Sequence, residues 1–471
     1  MPAEEDYSGA GKGMSRVWRA ARSTGKWILL VAGILAVAVT LPAAAYDVYG
    51  SVKLRAARRA AAAKGLVLSY DSWLQNQPGV PDTFNAALYY EAAFSLMRVR
   101  GLPTWFEEVF PETYRTVRTE TKAARTMQVV LRDPRQALPD DVYAEVKALV
   151  GNRGDVIRAV HDGAALSRSR YQVDWDIRNK PMPYFEPMRT TIPLLMLGAW
   201  VDAEEKRVPE AIEKIKDALA LARSFSGQPS VRLAVRENEG VSNALHAGLA
   251  RVLARAEVPN ESLLALQECV QRYDAEYPEM RALEGILALD CDLRLALWEG
   301  RKSLQEEGAN VVPAFFLRGY LKTDEALLIN YFLKAFGSHM PAERPPRFYV
   351  QAYARSIHLE NMRNEIEATQ ATLRCAAVAL AAARYRNDKG KWPETLTALY
   401  PDYIAALFED PFARGPVSYV PGEGSIMVYS VGPNRKDDGG RPDLVRGDPN
   451  DNTGADYTDD VGVRLWEYAQ K

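Results

Sequence analysis

The side chains best suited to chemistry in this chain are carboxylates, and they gather near its C-terminal end. Asp437, Asp438, Asp448, Asp451, Asp456, Asp459 and Asp460 lie in one polar, glycine-containing stretch. Carboxylate and carbonyl oxygens on such a loop are the ligands that a hard cation takes several at a time. By composition alone the same acids make a solvated acidic loop with no ion. Two closer pairs, Asp174 with Asp176 and Glu237 with Glu239, offer a hydrolytic reading. Paired carboxylates divide acid and base roles only where their surroundings push their pKa values apart. Acids two residues apart are usually surface charges, and no Ser-His-Asp, Cys-His or zinc motif accompanies them. His161, His246, His339 and His358 stand far apart without metal-ligand spacing. Cys269, Cys291 and Cys375 are few and odd in number, so no disulfide framework is implied. Gly9-Ala-Gly-Lys-Gly13 lacks the spacing and the hydroxyl residue of a phosphate loop.

These residues must be positioned by a hydrophobic core. The chain has 471 residues, 47% hydrophobic and 25% charged, the balance of a globular protein. A formal net charge of -2 gives no reason to expect nucleic acid as a partner. Trp27 to Tyr46 is an uncharged, mostly apolar run of about twenty residues, enough to cross a bilayer as a helix. The amphipathic rings at its ends suit the lipid–water boundary. Lys12, Arg16, Arg19, Arg22 and Lys26 precede it and favour a cytoplasmic N-terminus, although Lys53, Arg55, Arg58, Arg59 and Lys64 follow it. The competing reading is a signal peptide cleaved at Ala43-Ala44-Ala45. Either way the chain after Asp47 is exported.

Beyond the span the pattern is mainly α. Ser51 to Lys64 continues as helix, its arginines facing either lipid phosphates or water. Helical spacing recurs over Ala86–Met97, Glu112–Leu131, Thr190–Asp274 and Pro278–Leu304. A basic stripe on Glu112–Leu131 reads as a solvated face. Tyr171 to Met188, with Trp175, Tyr184 and Phe185 among Pro181, Pro183 and Pro187, predicts an aromatic loop. The organisation expected is a cytoplasmic tail over 1–26, a transmembrane helix or signal anchor over 27–46 and an irregular α-helical array over 47–310. A proline- and aromatic-rich connector over 311–350 and a C-terminal α+β module over 351–471 follow.

In that module Tyr349 to Tyr385 predicts one long helix, with Leu373, Ala376, Ala377, Leu380 and Ala383 on one face and Gly390 at its end. Val417–Val420 and Ser425–Ser430 flank Pro421-Gly-Glu-Gly424 as a hairpin, and Val461–Trp466 adds a third strand. Tyr385, Arg386, Gly390, Trp392 and Pro393 are followed by Asp410-Pro-Phe412 and Tyr429-Ser-Val-Gly-Pro433. That ordered set resembles the C-terminal domain of the major pseudopilin of type II secretion systems, over about the last fifth of the chain. The resemblance implies a long helix carrying a small antiparallel sheet. It also implies an acidic loop holding a structural calcium ion, here through Asp437, Asp438, Asp459 and Asp460. The chain departs from the family at its N-terminus. The membrane segment lacks the prepilin-peptidase glutamate and lies far upstream of the module.

The function expected is that of a membrane-anchored envelope protein with a binding or scaffolding role and no catalytic motif. It would be held in the inner membrane with its bulk periplasmic. Its partners would be the membrane and other envelope proteins; no small-molecule ligand is named. The alternatives are an exported hydrolase using paired carboxylates and an atypical pseudopilin-related component.

Overall fold

The computed structural model describes residues 10–99, 101–110, 121–171, 185–298, 314–335, 343–440 and 460–468. In chain order the helices are α1 (Ala10–Ala63), α2 (Tyr70–Gln75), α3 (Ala86–Val99), α4 (Thr104–Val109), α5 (Lys122–Arg132), α6 (Asp140–Gly151), α7 (Gly154–Ala164) and α8 (Phe185–Glu204). Then come α9 (Val208–Arg223), α10 (Val231–Ser242), a π-helical segment (Asn243–Leu249), α11 (Ala250–Arg255), α12 (Asn260–Ala275), α13 (Glu279–Trp298), α14 (Ala314–Ala335) and α15 (Val350–Lys389). Three strands close the chain: β1 (Ser418–Gly422), β2 (Ser425–Ser430) and β3 (Val461–Trp466). The architecture is mainly α, with one long apolar N-terminal helix and a small antiparallel sheet, as the residue pattern predicts.

The chain forms two compact units, each discontinuous in sequence. The first joins Met1–Gln75 with Leu287–Ile357. Its axis is α1, 54 residues long, or about 80 Å at 1.5 Å per residue. Trp27, Leu29, Leu30, Ile34, Leu35 and Leu41 are exposed on it, and the helix is long and apolar enough to cross a membrane. Past Tyr46 the same helix acquires a buried face through Leu54, Ala57 and Ala61.

That face packs on α14, which runs parallel to it: Gly319 abuts Tyr46, and Lys64 donates to the Leu333 carbonyl at 3.2 Å. A Cβ on Gly319 would lie 2.5 Å from the carbonyl carbon of Tyr46, and one on Gly50 2.5 Å from the Gly319 oxygen. Only residues without side chains let the two backbones approach so closely. Charges clamp the crossing. Lys322 pairs with Asp47 at 2.8 Å and Arg58 with Glu325 at 2.6 Å. Buried Arg294 of α13 pairs with Asp324 at 2.9 Å, and Asp324 also accepts the Ala352 N–H at 2.9 Å.

The second unit joins Asn76–Ile286 with His358–Lys471. Helices α3 to α12 build its core around Trp200, Leu194, Leu197, Ile215, Leu219 and Leu245. Trp200 donates its indole N–H to the Ala247 carbonyl in the π-helical segment at 3.0 Å. Arg251 lies over the same ring, 4.9 Å from its centroid. The expected aromatic loop is shorter at its C-terminal end than its prolines suggest, because α8 already begins at Phe185. Pro187 falls in the first turn, where a missing N–H costs no helical bond. Residues 172–184, with Trp175, Tyr184 and most of that loop, lie outside the described residues. So do residues 111–120, and α5 starts where Thr121 caps it by accepting the Ala124 N–H.

The C-terminal helix and sheet share this core. Every residue from Cys375 to Ala382 on α15 is essentially fully buried, so the helix is covered all round rather than on one face. Small alanine side chains permit this enclosure, and an apolar helix without a polar face has nowhere else to go. In the sheet, order β1-β2-β3, Val428 pairs with Val463 and Ile426 with Leu465. All four side chains face the core.

Candidate functional site

The C-terminal loop is organised by one buried carboxylate. Asp410 Oδ1 accepts the Ser430 hydroxyl at 2.6 Å and the Phe412 N–H at 2.8 Å, while Oδ2 accepts the Val431 N–H at 3.0 Å. The Asp-Pro-Phe turn is thereby tied to the end of β2, twenty residues on. Three charge-assisted bonds satisfy a group that burial would otherwise penalise.

From β2 the chain returns over the outer face of the sheet. Gly440 lies on the Tyr429 ring, where a Cβ would come within 2.9 Å of ring carbons. The loop therefore closes only with glycine at that position. Asp437 Oδ1 accepts the Tyr429 hydroxyl at 3.0 Å and the Gly439 N–H at 2.9 Å. Asp438 Oδ2 accepts the Asn434 amide at 2.7 Å. Asp460, next to β3, accepts the N–H groups of Asp438 at 3.3 Å and Gly440 at 2.6 Å. Burial raises the Asp460 pKa, its backbone hydrogen bonds lower it, and the charges of Asp437 and Asp438 raise it further. Tertiary structure thus brings three of the four expected calcium ligands to one loop. Asp459 lies outside the described residues. Among the described residues no group of three or more His, Cys, Asp or Glu side chains converges in metal-binding geometry.

The carboxylates considered for hydrolysis are placed differently. Glu237 of α10 is fully buried and accepts hydrogen bonds from the hydroxyls of Ser226, Tyr273 and Tyr277, the Tyr273 contact being 2.5 Å. Burial raises its pKa to about 7. Glu239, two residues on, leaves this cage and pairs with Arg236. A helix turns about 100° per residue, so the two carboxylates point in different directions. Asp174 and Asp176 lie outside the described residues.

A further pair was not legible in the sequence. His161 of α7 meets Asp217 of α9 through Nδ1 at 3.0 Å, with the imidazole largely exposed and the carboxylate buried. Burial raises the Asp217 pKa to about 6. The neighbouring Tyr90 phenol is pushed up, chiefly by its own burial and then by the Asp217 charge. An imidazole oriented by a carboxylate can relay a proton. Among the described residues no serine, threonine or cysteine side chain is hydrogen-bonded to it. His246, in the π-helical segment, is enclosed and held neutral, its pKa lowered to about 4 by burial. Fifty-six residues separate His161 from Asp217, and no local motif links them.

Comparison of the chain with protein-family models, curated proteins and solved structures finds no match in any of the three.

Proposed function

We propose that this chain is a single-span membrane-anchored envelope protein, its body outside the cytoplasm, acting by binding or scaffolding. The observation that carries this reading is the continuity of α1. One unbroken helix passes from a lipid-compatible, fully exposed segment into a face buried against α14. A segment built in this way into a folded unit suits a retained anchor better than a discarded leader. The basic residues before the span favour the cytoplasmic side for the N-terminus. For scaffolding the support is the use of buried charge: Asp410 and Asp324 hold elements together.

The acidic loop is proposed to hold a structural calcium ion through Asp437, Asp438 and Asp460, together with Asp459, which precedes Asp460 in the sequence. What supports this is that the charges of Asp437 and Asp438 are felt at Asp460, a repulsion that a divalent cation would offset. The pseudopilin-like reading of the module draws its support from the bond between Asp410 and Ser430, which joins two of the motif's pieces.

The test is intact-mass and protease-protection analysis of the full chain in its native envelope. The expected result is a carbonate-resistant, full-length protein of 52.4 kDa whose C-terminal tag is digested from outside the cytoplasmic membrane. A released protein lacking the first forty-odd residues, or a protected C-terminus, would overturn the reading. Crosslinking in the envelope should then recover one partner protein reproducibly; scattered recovery would count against a scaffolding role.

A further inference from the structure

We propose that the turn around residues 344–350, with the start of α14, forms a second membrane contact that rests on the phospholipid headgroups beside the anchor helix. This rests on the reading of α1 as a membrane span. From Trp27 to Tyr46 the helix rises about 28 Å, close to the roughly 30 Å of a bilayer's hydrocarbon core. Tyr46 therefore sits at the lipid–water boundary. Its hydroxyl is hydrogen-bonded to that of Tyr349 at 2.9 Å, which sets the 344–350 turn at the same depth. Tyr320 fastens the turn from α14, donating to the Phe348 carbonyl at 2.8 Å and accepting the Val350 N–H at 2.9 Å.

What the turn presents there suits an interface and not bulk water. Phe348 is 70% exposed and Val350 61%, among the most exposed large apolar side chains beyond the span. Stacked tyrosines stand behind them: Tyr320 on Tyr349 at 5.4 Å, and Tyr46 on Tyr49 at 6.0 Å. Rings with a polar edge concentrate at the headgroup level. Arg344 and Arg347 are exposed on the same turn, Arg347 lying over the Tyr353 ring at 5.7 Å. Lys53 lies over Tyr49 at 5.6 Å. Against these cations stand Glu343, exposed, and Asp47, already paired with Lys322. The excess of positive charge favours lipid phosphates.

The backbone of α14 agrees. It runs parallel to α1, and Ala314 precedes Gly319 by five residues, so its first turn reaches about 7 Å past Tyr46 toward the span. In sequence that turn is Ala314-Phe-Phe-Leu317. An occupant continuous with the bilayer is indicated, since the patch lies where the anchor helix meets it.

The experiment uses the full chain in vesicles of phosphatidylcholine and phosphatidylglycerol, with Cys269→Ser, Cys291→Ala and Cys375→Ala as background. An environment-sensitive fluorophore is placed in turn at Phe348→Cys, Val350→Cys, Val37→Cys within the span and Ala62→Cys. Ala62 is exposed and sixteen residues beyond Tyr46, about 24 Å farther along the helix. The expected result is blue-shifted emission and loss of fluorescence with shallow nitroxide lipids at 348 and 350. Deep nitroxide lipids should quench 37, and neither should quench 62. Neutralising Arg344→Gln and Arg347→Gln together should reduce the quenching at 348 more in anionic than in neutral vesicles. Quenching at 37 with none at 348 or 350 overturns this proposal and leaves the anchor intact. Absence of quenching at 37 overturns the anchor reading, and the proposal with it. The vesicles contain no other protein, so a partner protein as the true occupant would leave 348 and 350 unquenched.

Discussion

Glu237 carries a prediction whose size follows from its surroundings. Its carboxyl is fully buried among three hydroxyl donors, and desolvation outweighs those bonds, raising its pKa from 4.5 to about 7. In the unfolded chain the group titrates near the lower value. Between the two, the folded state holds a proton that the unfolded state has lost, so stability falls as pH rises through that window. Above pH 7 both states are ionised and the loss is complete. At 1.36 kcal/mol per pKa unit the full cost is about 3 kcal/mol. Glu237→Gln keeps the shape and an acceptor for Tyr273 but cannot ionise. The variant should match the parent near pH 5 and exceed it at pH 8, by about 5 °C in the melting midpoint for a unit of this size. The assay is thermal unfolding of the full chain in detergent micelles at both pH values, with the difference between variant and parent compared. Equal pH slopes for the two proteins, or a variant less stable at pH 8, would refute the assignment of a desolvated, ionisable Glu237.

Other perturbations test the remaining supports. Gly319→Val should drive α14 from Tyr46 at a cost of about 1–3 kcal/mol or more, seen as faster amide exchange over 46–58 and 317–326; unchanged exchange would deny the close crossing. Asp410→Ala orphans Ser430 and two backbone N–H groups and should cost about 3 kcal/mol, read as early proteolysis after β2, whereas Ser430→Ala should cost less. If calcium ties the acidic loop, chelator should lower the melting midpoint and Asp437→Asn with Asp438→Asn should abolish the difference; a midpoint indifferent to chelator would sink the idea. Asp217→Asn removes the carboxylate that holds the His161 ring through Nδ1, and the His161 ring-proton resonances should move in NMR; unmoved resonances would mean the pair is not formed in solution.

Local pattern was enough wherever an element is decided by its own residues. The hairpin, the third strand and the long helix ending before Gly390 could all be read from alternation, helical spacing and turn residues. α14 shows where this stops. The helix runs over Ala314–Ala335, within a stretch whose aromatics and prolines predict a connector over 311–350. Aromatic residues have modest helix propensity, and packing on α1 overrides it. Glu237 was singled out beside the wrong partner. Its adjacency to Glu239 is visible in the chain, while the hydroxyls that define its chemistry come from Ser226, Tyr273 and Tyr277.

By itself, then, the sequence determined the class of fold, the apolar helix able to cross a membrane and the acids available to a C-terminal loop. These depend on periodicity and composition, which act over a few turns of chain. Only the tertiary structure decided that α1 past Tyr46 packs on α14, that the alanine helix is enclosed on all sides, and that His161 meets Asp217. It also set Asp460 beside Asp437 and Asp438. Such pairings join segments tens to hundreds of residues apart, and their energy comes from desolvation and close packing that no short stretch encodes.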